Sequence, residues 1–289
     1  MLITGLNGTL AKRVNLEALR RGFSVDGWDR NLAPPENADA CRARLAQLKP
    51  CAIIHLAMGS EAWAAQLAAY AFQNAIPFVF TSSAMVFDNV PDGPHRVTDE
   101  RTARDDYGRY KMRCEDAILA ANPQAMVVRI GWQIDLEVKG NNMLCTLDDW
   151  QERQGCVAAS RLWKPACSFM EDTAQALLNL IEEPTGGLLH LDSNAQEGHS
   201  FDSIVAALRE TGGRKHWQIR IHDDYSHDQR LVGGPARLPA LSERLVGLRS
   251  DNNARHRTDT QVASCQHALP CLKPSPPLNR DGKSAPPQH

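Results

Sequence analysis

The first residues of the chain, Met1-Leu2-Ile3-Thr4-Gly5-Leu6-Asn7-Gly8-Thr9-Leu10-Ala11, constrain its fold more than any other stretch. An apolar strand runs straight into two glycines spaced by three, and a helical pattern comes directly after. Such a turn aims the first backbone N–H groups of the helix at whatever sits above it. Those groups have no partner inside the helix and carry partial positive charge, so they suit a pyrophosphate. Gly5 permits the tight turn, and Gly8 leaves no Cβ between phosphate and backbone. Ala11 is small enough for helix and strand to pack closely. The stretch reads as the diphosphate grip of a dinucleotide-binding fold. A glycine pair after a short apolar run also makes a plain turn, so the reading depends on the pattern of the next hundred residues.

That pattern is an alternation of strands and helices. A helix from Leu10 to Arg21 ends at Gly22, and Ser24 to Trp28 reads as a second strand closing on Asp29. An acidic residue about 20 positions past the glycine turn is where a dinucleotide site places its ribose ligand. The Asp29 carboxylate accepts ribose hydroxyls and repels a 2′-phosphate, which favours NAD. Arg30 works the other way, because a guanidinium there can hold the 2′-phosphate of NADP. Further helices are expected over Ala38–Leu48 and Glu61–Asn74. Strands are expected over Cys51–Ala57, Pro77–Thr81 and Met126–Arg129. The strands are apolar nearly throughout, as strands buried on both faces must be. His55 reads as a packed core histidine. The expected fold is a doubly wound α/β domain with a parallel sheet, whose ligands lie at the C-terminal strand ends. Gly5, Asp29, Ala57 and Ser83 all fall there, and Ala57 offers the small side chain wanted beside a dinucleotide.

Composition narrows the function classes. Hydrophobic residues make up 43% and charged residues 23% of the chain, an ordinary globular balance. The net charge is −2 and no basic block occurs, which argues against a nucleic-acid polymer as partner. No apolar run approaches the ~20 residues that span a bilayer. The chain opens on a strand-turn-helix pattern rather than a signal peptide, and its eight cysteines form no C-x-x-C pair. Reduced thiols in a cytoplasmic protein are expected. The ten histidines show no ligand spacing, so no metal is expected.

The chemistry-bearing motif opens the next helix. Asp105-Asp106 resembles an N-cap, and a helix is expected from Tyr107 to Ala121. Tyr107 and Lys111 are four apart and share one face of it. A nearby ammonium favours the phenolate of a group whose ordinary pKa is ~10, and so brings it toward acid–base use. The same spacing is common on solvated helix surfaces. Tyr110 is a rival phenol, but it points elsewhere.

In order, the glycine turn, Asp29, Ile54-His55-Leu56-Ala57, Thr81-Ser82-Ser83-Ala84-Met85-Val86-Phe87-Asp88, and Tyr107 with Lys111 resemble the extended short-chain dehydrogenase/reductase superfamily. Val86-Phe87-Asp88 and Arg129-Ile130-Gly131-Trp132 are most similar to its dTDP-4-dehydrorhamnose reductase branch. The resemblance covers roughly residues 1–248. It implies that Tyr107 donates a proton to a substrate carbonyl oxygen and that Ser83 hydrogen-bonds and polarises that oxygen. It implies that Lys111 holds the nicotinamide ribose and lowers the Tyr107 pKa. Gly5, Asn7, Gly8 and Leu10 then border the pyrophosphate. Ala84 and Met85 stand where sugar-nucleotide dehydratases carry an acidic pair, which argues against dehydration. Rhamnose-type reductases tend to carry an Asp at the Ala84 position, and the asparagine that usually opens the helix before Pro77 is absent from its start.

Residues 1–132 are thus expected to form an NAD(P)-binding Rossmann domain and residues 133–249 a small substrate-binding portion interleaved with it. Within the latter, Arg161, Trp163 and Lys164 suggest a grip for a substrate diphosphate and a base to stack; a surface loop with one anchoring Trp is the alternative. A polar, partly helical stretch is expected from Asn141 to Gln154, helices are expected from Glu171 to Ile181 and from Ser200 to Leu208, and Pro239–Leu245 resembles the C-terminal helix of the reductases. Strands are expected at Leu188–Leu191 and Trp217–Ile221. Residues 250–289 carry six prolines and no aromatic residue, which predicts a disordered tail. The leading expectation is an NAD(P)-dependent reductase of a 4-keto sugar nucleotide. A sugar-nucleotide epimerase uses the same residues, and a cofactor-binding regulatory subunit is the non-enzymatic alternative. A homodimer is expected from the family resemblance only.

Overall fold

The computed structural model describes residues 1–234 and 238–248; the expected disordered tail lies outside the described residues. The first part of the chain runs β1 (Leu2–Thr4), α1 (Thr9–Arg20), β2 (Asp26–Gly27), α2 (Ala38–Leu48), β3 (Ile53–His55), α3 (Glu61–Gln73), β4 (Phe78–Ser83), α4 (Asp106–Ala121) and β5 (Met126–Ile130). The chain then leaves through α5 (Met143–Gln154) and returns by α6 (Met170–Glu182) to β6 (Gly187–Leu191). Helices α7 (Phe201–Thr211) and α8 (Leu241–Arg244) come last.

These six strands form one parallel sheet in the order β6-β5-β4-β3-β1-β2. Leu2, Ile53, Phe78, Phe80 and Val127 point to one face, where α2, α3 and α4 cover them. Ile3, Ile54, Val79 and Val128 point to the other, against α1 and α6. The period of two along each strand therefore fills two layers of core, which is why the strands are apolar on both faces. The chain order reverses at β1, with β2 on one side and β3 to β6 on the other. Open α/β sheets bind ligands in the crevice at such a reversal.

Polar residues mark where the helices begin. Asn37 accepts from the Ala40 N–H at 3.0 Å, Ser60 from the Trp63 N–H at 3.2 Å and Asp105 from the Gly108 N–H at 2.8 Å. The edge of the sheet departs from expectation. The stretch Ser24–Trp28 pairs only at Asp26 and Gly27, because Trp28 turns away to donate its indole N–H to the Ala33 carbonyl at 2.8 Å. At the other edge, the imidazole of His190 on β6 donates from Nδ1 to the Val232 carbonyl at 3.2 Å. A Cβ at Gly234 would stand 2.8 Å from the His190 carbonyl oxygen, so residues 231–234 lie directly against the β6 backbone.

A second core gathers Leu144, Leu147, Val157, Trp163, Phe169, Phe201, Ile204, Leu208, Trp217 and Leu241. Its strands form small parallel pairs: Trp132–Ile134 with Cys167–Phe169, Val157–Ser160 with Ile219–His222, and Trp163–Lys164 with His227–Asp228. Trp217 does not begin a strand. It is buried in this core and donates from Nε1 to Asp148 at 2.8 Å. The expected C-terminal helix over Pro239–Leu245 forms only a single turn, Leu241–Arg244.

The sheet half also carries a buried ion pair. Arg129 and Glu115, 1% and 0% exposed, meet through two bonds of 2.9 and 2.8 Å. Glu115 also accepts from the Ser82 hydroxyl at 2.5 Å and from Arg101 at 3.2 Å. Glu115→Ala strands the Arg129 guanidinium in the interior and is expected to cost about 3–5 kcal/mol. Urea unfolding monitored by circular dichroism checks this; a loss below about 1 kcal/mol, the range of exposed pairs, would contradict the buried pairing.

Candidate functional site

The glycine turn is held against the end of β3. Gly5 has φ +76°, and a Cβ there would stand 3.1 Å from the Cα and N of Ala57. The Gly8 N–H donates to the Gly5 carbonyl at 2.7 Å, closing the turn. A Cβ at Gly8 would stand 3.0 Å from that same oxygen. Gly8 is the N-cap of α1 and supplies no side-chain cap, so the helix opens with unclaimed N–H groups. A glycine cradle ending in an uncapped helix fits the pyrophosphate of a dinucleotide. Asn7 and Gly8 are exposed on the turn, while Leu10 is half-buried against the core.

Thr4 and His55 staple this crevice, a role that sequence pattern alone assigns to neither. The Thr4 hydroxyl donates to His55 Nδ1 at 2.7 Å and accepts from the Leu56 and Ala57 N–H groups, each at 3.2 Å. Burial pushes the His55 pKa down to about 3, so the ring is neutral and its Nδ1 is free to accept. His55 is the core histidine expected from the strand pattern. The signal for its partner is a hydroxyl in an otherwise apolar strand, immediately before the turn.

Asp29 and Arg30 lie at the end of β2, both exposed. The Asp29 carboxylate accepts from the Asn31 N–H at 2.8 Å. The Arg30 guanidinium reaches across to the Met58 carbonyl and lies 5.7 Å from the Trp63 ring centre. The Gly5–Ala57 approach and the Arg30–Met58 bond thus bring the ends of β1, β2 and β3 together.

Farther along the strand ends, Ser83 closes β4 and α4 presents Tyr107 and Lys111. The Ser83 hydroxyl accepts from the Met85 N–H at 3.1 Å and hydrogen-bonds the Tyr107 phenol. Lys111 is 3% exposed, and its ammonium donates to the Thr81 carbonyl at 2.8 Å. It lies 5.7 Å from the Tyr107 ring centre and 4.6 Å from that of Phe80. The three side chains therefore converge, but the electrostatics differ from expectation. Burial pushes the Tyr107 phenol up to about 12, against the lowering by the Ser83 hydrogen bond. Burial also pulls Lys111 down to about 8. The ammonium faces a backbone carbonyl rather than the phenol, so desolvation decides both values. Tyr110 is accounted for separately: its hydroxyl accepts from the Gly59 N–H at 3.2 Å.

The stacking role expected of Trp163 is corrected. Trp163 is 6% exposed and sits 4.5 Å from the Phe201 ring, 5.6 Å from Tyr225 and 6.1 Å from Trp132. Its faces are taken by core neighbours, so it is an anchor. Arg161 meets Asp223 at 2.6 Å, and Lys164 lies 3.6 Å from Asp228. Among the described residues, no group of three His, Cys, Asp or Glu side chains could hold a metal, and no helix is long and apolar enough to cross a membrane.

The family model described as the RmlD substrate binding domain matches residues 1–222. A dTDP-4-dehydrorhamnose reductase of Mycolicibacterium smegmatis is 32% identical over 140 residues, 46% of this chain and 41% of that protein. One from Mycobacterium tuberculosis is 25% identical over 234 residues, 73% of this chain and 75% of that protein. The crystal structure of dTDP-4-dehydrorhamnose reductase from Bacillus anthracis in complex with NADP superposes with a TM-score of 0.72 at 16% identity. That match covers 84% of this chain and 96% of the other, and it shows the shared Rossmann-like fold.

Four buried histidines set a pH dependence on the fold carrying this site. Burial pushes His190 and His227 down to about 4 and His55 to about 3, and it lowers His95 as well. The unfolded chain takes up protons below about pH 6.5 that the folded rings refuse. Stability is therefore full above pH 6.5 and falls as pH drops, by up to about 3 kcal/mol near pH 4 for each of His55, His190 and His227. Asp192, raised to about 7 by burial, acts in the opposite sense but is one group against several. The urea midpoint is expected to fall between pH 7.5 and pH 5, and an unchanged midpoint would mean that the rings protonate within the fold.

Proposed function

Because the chain belongs to the RmlD substrate binding domain family, we propose that it is an NAD(P)-dependent reductase of a 4-keto sugar nucleotide. The observation that carries this reading is the convergence of Ser83, Tyr107 and Lys111 at the strand ends beside the glycine cradle. The reductase names of its relatives favour the same substrate class. Residues 133–249, around the second core, are then the substrate-binding portion. A dinucleotide would be held by Gly5, Asn7, Gly8 and Leu10 at its pyrophosphate, by Asp29 and Arg30 at its adenosine ribose, and by Lys111 at its nicotinamide ribose.

When bound, the nicotinamide supplies a hydride to the carbonyl carbon. Tyr107 supplies the proton. With its pKa raised to about 12, the phenol is fully protonated at neutral pH and stands ready as a donor from Oη. Ser83 Oγ accepts from the Met85 N–H, which holds the side chain beside Tyr107, where its hydroxyl would turn from the phenol oxygen to the substrate oxygen. Charge developing on that oxygen then meets two oriented O–H donors in a largely desolvated site. Lys111 keeps a positive charge one helical turn from Tyr107 and favours the phenolate left after transfer.

The test is oxidation of NADH and NADPH by the purified protein against a panel of 4-keto-6-deoxy sugar nucleotides. Turnover is expected with the native chain. Tyr107→Phe is expected to lower kcat by about 10²–10⁴-fold, the usual worth of a general acid, with cofactor affinity intact. Tight cofactor binding without turnover on any of these sugars would overturn the reductase reading in favour of an epimerase or a regulatory binder. Since Lys111 loses its proton near pH 8, kcat/KM is expected to fall above that pH. A flat profile from pH 7 to 9.5 would exclude a role for the ammonium.

A further inference from the structure

The segment from Asp135 to Asn142 joins the strand Trp132–Ile134 to α5, and both of its ends are pinned. At one end the Asp135 carboxylate accepts from the Glu137 N–H at 2.9 Å and the Val138 N–H at 2.8 Å. At the other, Asn142 accepts from the Cys145 N–H at 3.0 Å to cap α5, and its amide donates to the Val138 carbonyl at 2.7 Å. Between those ends the segment grips α1. Arg13 donates to both Asp135 oxygens at 2.7 and 2.9 Å and to Glu137 at 2.9 Å. Asp135 is only 3% exposed at its side chain and Arg13 21%, so the pair is shielded from solvent. The Asn141 N–H donates to the Thr9 hydroxyl at 2.9 Å. Gly140, with φ +134°, passes so close that a Cβ would stand 2.5 Å from that hydroxyl oxygen.

The placement matters more than the number of contacts. The segment begins after Trp132–Ile134, the short strand that follows β5. It ends on Thr9, the first residue of α1 after the glycine turn. It therefore ties the strand that follows β5 to the first turns of α1, beside the glycine cradle. We infer that residues 135–142 are a strap that closes the dinucleotide crevice, and that Arg13 is a positioning residue whose pairing with Asp135 governs how fast the cofactor leaves. This rests on the NAD(P)-dependent reading. A shielded, bidentate ion pair made through a helix turn beyond the cradle leaves the cradle amides untouched, so its loss acts on escape more than on capture. Differences among variants of one binding site fall mostly on the dissociation rate.

The test is stopped-flow displacement of NADH and of NADPH from the native chain, Arg13→Gln and Thr9→Val. Arg13→Gln removes the charge, and Thr9→Val removes the hydroxyl acceptor while keeping the backbone N–H and the side-chain size. Arg20→Gln is the control: Arg20 pairs with Glu17 on the same helix at 2.7 Å, on the exposed side and away from the strap. The expected result is a dissociation rate raised about tenfold in Arg13→Gln and several-fold in Thr9→Val, with association within about threefold, as for most variants at one interface. Arg20→Gln is expected to release cofactor at the native rate, even where it lowers the Tm. Unchanged release in Thr9→Val and in folded Arg13→Gln overturns the strap. Should Arg13→Gln fail to fold, Thr9→Val alone decides. Failure of the native chain to bind either cofactor overturns the reductase reading itself, and the strap with it.

Discussion

Two ionisable side chains one turn apart, Lys111 and Glu115, are buried on the sheet-facing side of α4, and the site exists because each is satisfied there. Lys111 finds the Thr81 carbonyl, and Glu115 finds Ser82 and Arg129. These contacts fall on neighbouring residues of β4 and on β5, so α4 cannot slide or turn without uncovering a buried charge. Tyr107, one turn before Lys111, is thereby fixed opposite Ser83. Interior charges are expensive to leave unpaired. That cost gives the register of helix on sheet a sharpness that apolar packing alone does not provide.

The same burial sets the chemistry. Desolvation favours whichever form of a group is uncharged, so it holds the phenol protonated and weakens the hold of the amine on its proton. An acid that keeps its proton until a negative oxygen appears next to it is well matched to addition across a carbonyl. The correction to the expected electrostatics therefore leaves the roles of the two residues compatible with the reading from sequence. It changes the cause: the environment of the pair, rather than the pair itself, sets the starting state.

Much of this is legible in the chain. Apolar strands between helical patterns point to a parallel sheet, and Asn37, Ser60 and Asp105 stand at helix starts where short polar side chains belong. The glycine turn identifies the crevice because only its residue types permit that backbone. Local pattern does not reveal which side chains face one another across the fold. Thr4 and His55 lie 51 residues apart. Trp163, set between Arg161 and Lys164, reads as an exposed grip until Phe201 and Tyr225 close over it. The Tyr107 pKa depends on burial, which a helix-face spacing does not report. A short strand such as Asp26–Gly27 is overstated by its pattern, because β-type residues continue past the point where a pairing partner exists.

The ends of the sheet carry a consequence for the protein in solution. An unpaired strand edge is a template on which another chain can add its own backbone, and long flat edges invite aggregation. Here one edge is only two residues long, Asp26–Gly27. The other, Gly187–Leu191, has the backbone of residues 231–234 laid against it and His190 tied to Val232. The first is too short to template a newcomer, and the second is crossed at His190. The β6 cover comes from a segment far along the chain, so while the protein is being made β6 emerges before its shield. The crossing at His190 is thus acquired late, once Val232 and Gly234 have emerged and docked.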